Sequence, residues 1–206
     1  MEIFNRKKHW ENIYRTKKLD EVSWYQPTPE ISLKYFKQFA VPLTASIIDV
    51  GGGDSFLVDR LIDLDYRNIT VLDISETALD KAKQRLGDRS KQVQWIVADA
   101  ATFTPTEKYD FWHDRAMFHF LTREEEIEQY IDTVQRSIPP NGILVIGTFS
   151  ERGPKTCSGI KIHQYSETSL TDRLKKCFEK TECISVDHKT PSHTIQNFIF
   201  CSFRRL

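Results

Sequence analysis

Ile47-Ile48-Asp49-Val50-Gly51-Gly52-Gly53-Asp54-Ser55 passes from a short β-branched run, broken by one acid, into three consecutive glycines. The run reads as a buried strand, and Leu57, Leu61 and Leu64 beyond the glycines have the spacing of a helix stripe. Glycine at the junction permits positive φ and lets a ligand touch backbone that a Cβ would cover. A strand, a glycine turn and a helix in this order open a parallel α/β sheet, and a nucleotide-like ligand is expected at the turn.

The alternation continues outward. Residues 69–72 read as a second strand, and Ser75 caps a helix whose Leu79, Ala82 and Leu86 run to Gly87. Residues 93–97 and 109–112 read as the third and fourth strands. Thr122-Arg123-Glu124-Glu125 is a capping box for a helix that turns Ile127, Tyr130, Ile131, Val134 and Ile138 inward and stops at Pro139-Pro140-Asn141-Gly142. Residues 143–149 form a fifth, continuously apolar strand, and Ser166 begins a helix carrying Leu170, Leu174 and Phe178.

The runs 183–186 and 195–203 are joined by a polar loop too short for a helical crossover, which predicts an antiparallel hairpin. The expected architecture is a seven-stranded, doubly wound α/β sheet with five helix-linked parallel strands and one reversed strand near the end. Before it, Trp10, Ile13 and Tyr14 share a helical face, and Thr28-Pro29-Glu30 opens a second helix with Pro29 at its first position. Residues 1–45 are therefore expected to form a helical cap on an α/β core of residues 46–206, in one domain.

Composition bounds the partners. The chain has 206 residues and 39% hydrophobic content, enough for a single core without staples. Lys plus Arg (29) equals Asp plus Glu (29), which removes the broad attraction that draws proteins to nucleic acid or an anionic membrane. No apolar run approaches the ~20 residues of a membrane span, and Met1-Glu2-Ile3-Phe4-Asn5-Arg6-Lys7-Lys8 lacks a leader-like apolar segment, so a cytoplasmic protein is expected. Cys157, Cys177, Cys183 and Cys201 stand apart with no CxxC pair, which argues against a metal site or a redox dithiol and suits a reducing cytosol.

Acids recur at the predicted strand ends: Asp73 in Leu72-Asp73-Ile74, Asp99 in Val97-Ala98-Asp99-Ala100, and Asp114 after the fourth strand. Ligands of open α/β sheets bind along this edge, and a carboxylate one βα unit past the glycine turn can accept two ribose hydroxyls. This combination resembles the class I, Rossmann-like S-adenosylmethionine (SAM)-dependent methyltransferases over residues 46–149. The resemblance implies SAM as cofactor. It gives Asp49 and Gly51, Gly52 and Gly53 to the methionine moiety, Asp73 with adjoining Ile74 to the ribose, Asp99 with Ala100 to the adenine, and Asp114 to a place below the sulfonium. Ser55 stands where the family usually has a third spaced glycine. A nicotinamide fingerprint starting at Gly51 would need glycine where Phe56 stands.

His9-Trp10-Glu11-Asn12-Ile13-Tyr14 and Trp24-Tyr25-Gln26 are similar to the aromatic lead-in of some seven-strand protein lysine methyltransferases, and of small bacterial methyltransferases of loosely assigned substrate. Trp112-His113-Asp114-Arg115-Ala116-Met117-Phe118-His119-Phe120-Leu121 and Thr156-Cys157-Ser158-Gly159 resemble the bacterial group. Trp24 and Tyr25 either roof a cationic sulfonium or simply pack the amino-terminal helix. His119 is the candidate general base, against a buried core histidine; His113 falls on the opposite side of the strand. Arg115 either binds an acidic acceptor or braces Asp114, and Cys157 either lines the acceptor pocket or is incidental. The expected activity is methyl transfer to a small molecule, with a thiol or other soft nucleophile favoured. A protein lysine is the alternative acceptor, although the D/N-PP-Y motif of amine methylators is missing, and a non-catalytic SAM-binding module is the other reading.

Overall fold

The computed structural model describes residues 4–206; the first three residues of the amino-terminal stretch read above lie outside the described residues. In chain order the helices are α1 (Arg6–Thr16), α2 (Glu30–Gln38), α3 (Leu57–Asp63), α4 (Glu76–Leu86), α5 (Glu124–Ser137) and α6 (Glu167–Leu174). The strands are β1 (Ile47–Val50), β2 (Ile69–Asp73), β3 (Val93–Val97), β4 (Phe111–Arg115), β5 (Ile143–Phe149), β6 (Thr156–Cys157), β7 (Ile160–Lys161), β8 (Phe178–Lys189) and β9 (Ile195–Arg205).

The seven-stranded sheet runs β3-β2-β1-β4-β5-β9-β8. Strands β1 to β5 pair in parallel, and β9 pairs antiparallel with both β5 and β8, so β9 is the expected reversed strand. A small hairpin of β6 and β7 lies outside this sheet. The order reverses between β1 and β4, and this switch point is where an open α/β sheet leaves a crevice at the carboxyl ends of its strands. β5 is buried throughout because both faces are covered, which is why its sequence is continuously apolar. On one face Trp112, Leu144 and Ile146 pack with Tyr130 and Val134 of α5 and Leu170 of α6. On the other, Phe111, Val145 and Phe149 pack with Tyr35 and Phe36 of α2 and Leu57 and Leu61 of α3.

Several boundaries differ from expectation. The fourth strand is Phe111–Arg115 rather than 109–112, because Tyr109 donates its N–H to the Ser137 carbonyl (2.8 Å) and ladder pairing starts only at Phe111. Helix α5 starts at Glu124 behind Arg123, without a side-chain cap, so the Thr122 capping box does not form. The helix instead ties its first turn through Glu126, which accepts from Arg123 (2.7 Å) and Arg6 (2.9 Å). Pro29 is the N-cap of α2 rather than its first helical residue, and α6 ends at Leu174, leaving Phe178 to begin β8. Cys183 and Cys201 stand opposite each other on β8 and β9 with Cα atoms 4.1 Å apart and are joined by a disulfide, contrary to the expectation of separate thiols. Register on the hairpin brings them together, which spacing along the chain does not reveal. No described helix is long and apolar enough to cross a membrane.

Candidate active site

A cavity opens at the carboxyl ends of β1, β2 and β4, beneath α1 and the segment that follows it. Gly51 and Gly52 line it, their N–H groups donating to the Leu72 carbonyl at 2.8 and 3.2 Å, which curls the turn onto β2. Gly51 has φ +69°, and a Cβ there would lie 2.6 Å from the Met117 Cβ, so only glycine fits. A Cβ on Gly52 would meet the Asp49 carboxylate at 2.6 Å. Gly53 is set against the Tyr14 hydroxyl and is not part of the lining.

Asp73 and Ile74 line the cavity next to the turn. Asp73 accepts the Ser75 N–H at 2.8 Å through one oxygen, and its other oxygen takes no hydrogen bond from the described residues. Burial pushes this carboxyl up to about 7, with the charges of Asp49 and Glu11 adding to the effect and the Ser75 N–H opposing it. Asp99 and Ala100 also line the cavity. Asp99 is gripped by Arg6 at 3.1 and 3.0 Å and accepts the Ala101 N–H at 3.0 Å.

Arg6 belongs to a set of polar ties that pin α1 over the mouth. Glu11 accepts from the N–H groups of Glu76 (2.7 Å) and Thr77 (3.2 Å) and from the Ser75 hydroxyl (3.1 Å), capping α4 from a distant element. Lys81 donates to the carbonyls of Tyr14 and Lys17. Under these ties Trp24 packs edge-on against Trp10 (5.7 Å) and Tyr14 (6.0 Å), and Trp10 against Phe120 (5.0 Å). Trp24 and Tyr25 both line the cavity while Trp24 also joins this aromatic cluster, so its two sequence readings are not exclusive.

Alternation along β4 sorts its polar residues. His113 and Arg115 share the face that meets the cavity, and Asp114 faces the other way. His113 Nδ1 is 2.7 Å from Asp49 Oδ1 and its Nε2 is 2.9 Å from the Ser32 hydroxyl; all three residues line the cavity. With Asp49 ionised, the imidazole donates to it through Nδ1 and accepts the Ser32 hydroxyl through Nε2, giving a buried Ser–His–Asp chain. Sequence reading set His113 aside and did not single out Ser32. The available signal was that His113 and Arg115 must point the same way.

Asp114, expected below the sulfonium, faces away from the cavity. It is fully buried, accepts the Met117 and Phe118 N–H groups at 3.1 Å each and the Tyr130 hydroxyl at 2.7 Å, and does not line the cavity. Burial raises it to about 6 despite these bonds. Arg115 does not brace it: Nη1 donates to the Trp24 carbonyl at 3.1 Å, and the guanidinium lies 5.5 Å from the Phe198 ring. His119 sits in the core outside the cavity lining, stacked 4.5 Å from Phe149, with Nδ1 accepting the Phe149 N–H at 3.4 Å. Burial, aided by Arg115, lowers it to about 3, which unsuits it as a base near neutrality. Cys157 lines the cavity as a buried thiol that burial holds above its ordinary range. Among the described residues no cluster of His, Cys, Asp and Glu could hold a metal ion.

Residues 47–142 match the family model described as a methyltransferase domain. The malonyl-[acyl-carrier protein] O-methyltransferase of Anoxybacillus flavithermus is 32% identical over 108 residues, 52% of this chain and 40% of that protein. The human N-terminal Xaa-Pro-Lys N-methyltransferase 1 is 29% identical over 106 residues, 50% of this chain and 47% of that protein. The chain thus spans less than half the length of these curated relatives. The N-methyltransferase NodS from Bradyrhizobium japonicum, solved in complex with S-adenosylhomocysteine (SAH), superposes with a TM-score of 0.70 at 18% identity, covering 98% of this chain and 99% of its own, a likeness of fold. The glycine turn, the acid at the end of β2, the reversed β9 and the matched segment agree: residues 47–142 are similar to methyltransferase domains, and the chain as a whole shares the fold of NodS.

Proposed function

We propose that this protein is a SAM-dependent methyltransferase acting on a small-molecule acceptor, with a thiol or other soft nucleophile the favoured kind. The observation that carries this reading is one continuous cavity joining the glycine turn, with Asp73 and its uncommitted oxygen, to an aromatic half formed by Trp24, Phe149 and Phe198. The first half suits an adenosyl group: Gly51 and Gly52 expose backbone, Asp73 can accept ribose hydroxyls, and Ile74, Asp99 and Ala100 continue the wall. Bound there, SAM would supply a methyl carbon that the acceptor attacks in line, with SAH leaving as the neutral thioether.

The chain's own part is alignment and exclusion of water. Trp24 and Tyr25 roof the cavity with aromatic faces that favour a cation, and the ties from Arg6 and Glu11 hold that roof shut. Where an acceptor must lose a proton, Ser32, His113 and Asp49 form a hydrogen-bonded chain along the cavity in which His113 can take up the proton and Asp49 stabilise the imidazolium formed. Cys157 and Arg115 line the acceptor half. The compartment proposed is the cytoplasm.

Calorimetry with SAM, SAH and NAD tests the cofactor: binding of NAD and not SAH would refute the proposal. Labelled SAM offered with thiols, small acids and a cell lysate tests the acceptor. Label in protein rather than in small molecules would favour the second reading, a protein acceptor, which the relationship to the human N-terminal methyltransferase supports. SAH binding with no label transfer to any pool would leave a binding module.

A further inference from the structure

We infer that the acceptor is a small carboxylic acid, its carboxylate held by Arg115 in the half of the cavity formed by Trp24, Phe149 and Phe198. The inference rests on the methyltransferase reading and adds the substrate class.

No carboxylate among the described residues forms an ion pair with Arg115, although the charge of Asp49 lies near enough to favour its protonated form. Nη1 is used by the Trp24 carbonyl, while Nη2 is buried and has no hydrogen-bond partner among the described residues. Arg6 is paired with Asp99 and Glu126, and Arg85 with Asp54, while Asp49 is hydrogen-bonded to His113 rather than paired with a cation. An unmet charged donor away from water is costly, and a carboxylate is the group whose geometry matches a guanidinium edge. Burial lowers Arg115 only to about 10, so it stays a cation at neutral pH.

A second unmet group stands nearby. Gln196 lines the same cavity, its Oε1 is buried without a partner, and it lies two residues before Phe198 on the same face of β9. It can receive an N–H, O–H or S–H from the body of the ligand. The surrounding rings are apolar, which suits an aromatic or hydrocarbon body. Several acids stand along this wall, so a monoanion suits Arg115 better than a phosphate dianion.

The carboxylate could in principle be the amino-acid end of the cofactor itself. The placement favours the acceptor: the adenosyl wall is built on β1, β2 and β3, whereas Arg115 leaves β4 toward β9, two strand positions from Asp73.

The test titrates protein saturated with SAH, by calorimetry, with benzoate, phenylacetate and 2-mercaptobenzoate, and with the matching neutral amides. At least one acid should bind about 10- to 100-fold more tightly than its amide, the range expected of a hydrogen-bonded charge pair. Arg115→Met should erase that preference in protein still saturated with SAH, and Arg115→Lys should restore part of it. No preference for any acid in the unaltered protein, a comparison that needs no variant, overturns the inference. So does an Arg115→Met protein that binds SAH more weakly yet still prefers the acids, because Arg115 would then serve the cofactor. If the unaltered protein binds no SAH, the methyltransferase reading fails first and this inference falls with it.

Discussion

The carboxyl of Asp73 offers a quantitative test of where the cofactor sits, because burial lifts it to about 7, into the range of ordinary assays. Only the ionised form can accept two ribose hydroxyls at once, so binding should draw the proton off. At pH 6 roughly one molecule in eleven carries the ionised form, and at pH 8 roughly ten in eleven, so SAH should bind about tenfold, or about 1.4 kcal/mol, more tightly at pH 8. Asp73→Asn keeps the side-chain shape, cannot ionise and leaves one acceptor. It should weaken SAH binding at pH 8 by about 1–3 kcal/mol and flatten the pH profile. Isothermal titration calorimetry across pH 6 to 8, in buffers of different ionisation enthalpy, would also count the proton released. An unaltered Kd across that range, or the same slope in Asp73→Asn, would refute the placement of the ribose at this residue.

Other consequences follow from neighbouring groups. His119 is held near 3, below its unfolded value, so its contribution to stability is present above pH 6.5 and is lost as pH falls toward 3. His119→Leu should therefore gain on the unaltered protein by about 1.4 kcal/mol per pH unit below 6.5 in urea unfolding, and a parallel pair of curves would contradict the buried neutral imidazole. Glu11→Ala removes the cap on α4 and should cost about 1–2 kcal/mol of stability and weaken SAH by loosening α1; a surface-like change within about 0.5 kcal/mol would mean that this tie does not hold the roof. Reduction of the Cys183–Cys201 bridge should lower stability by about 3 kcal/mol, and Cys201→Ser should abolish the response to reductant without blocking SAH binding, read as the melting shift with and without dithiothreitol.

The course of the main chain was legible because it depends on local periodicity. The β-branched run ending at Val50, the glycines that permit positive φ, the helix stripes and the short loop before Ile195 each constrain nearby backbone, and together they specify a mostly parallel sheet with one reversed strand. Asp73 and Asp99 could likewise be placed at the edge of the sheet where the cavity opens, without coordinates.

Side-chain direction and long-range pairing were not legible. Strand alternation states that Asp114 and Arg115 point to opposite faces, but which face meets the cavity depends on α2 and the amino-terminal cap packing on one side and α5 on the other. Asp114 thereby became a buried partner of Tyr130, and His113 rather than His119 reached the cavity. The Glu11 cap on α4 and the Arg6 grip on Asp99 join residues 65 and 93 positions apart, and Cys183 meets Cys201 through hairpin register. The sequence by itself determined which segments become strands, turns and helices, since those preferences act over a few residues. Only the tertiary structure decided which side chains share a cavity, because packing chooses between two faces that the sequence leaves equivalent.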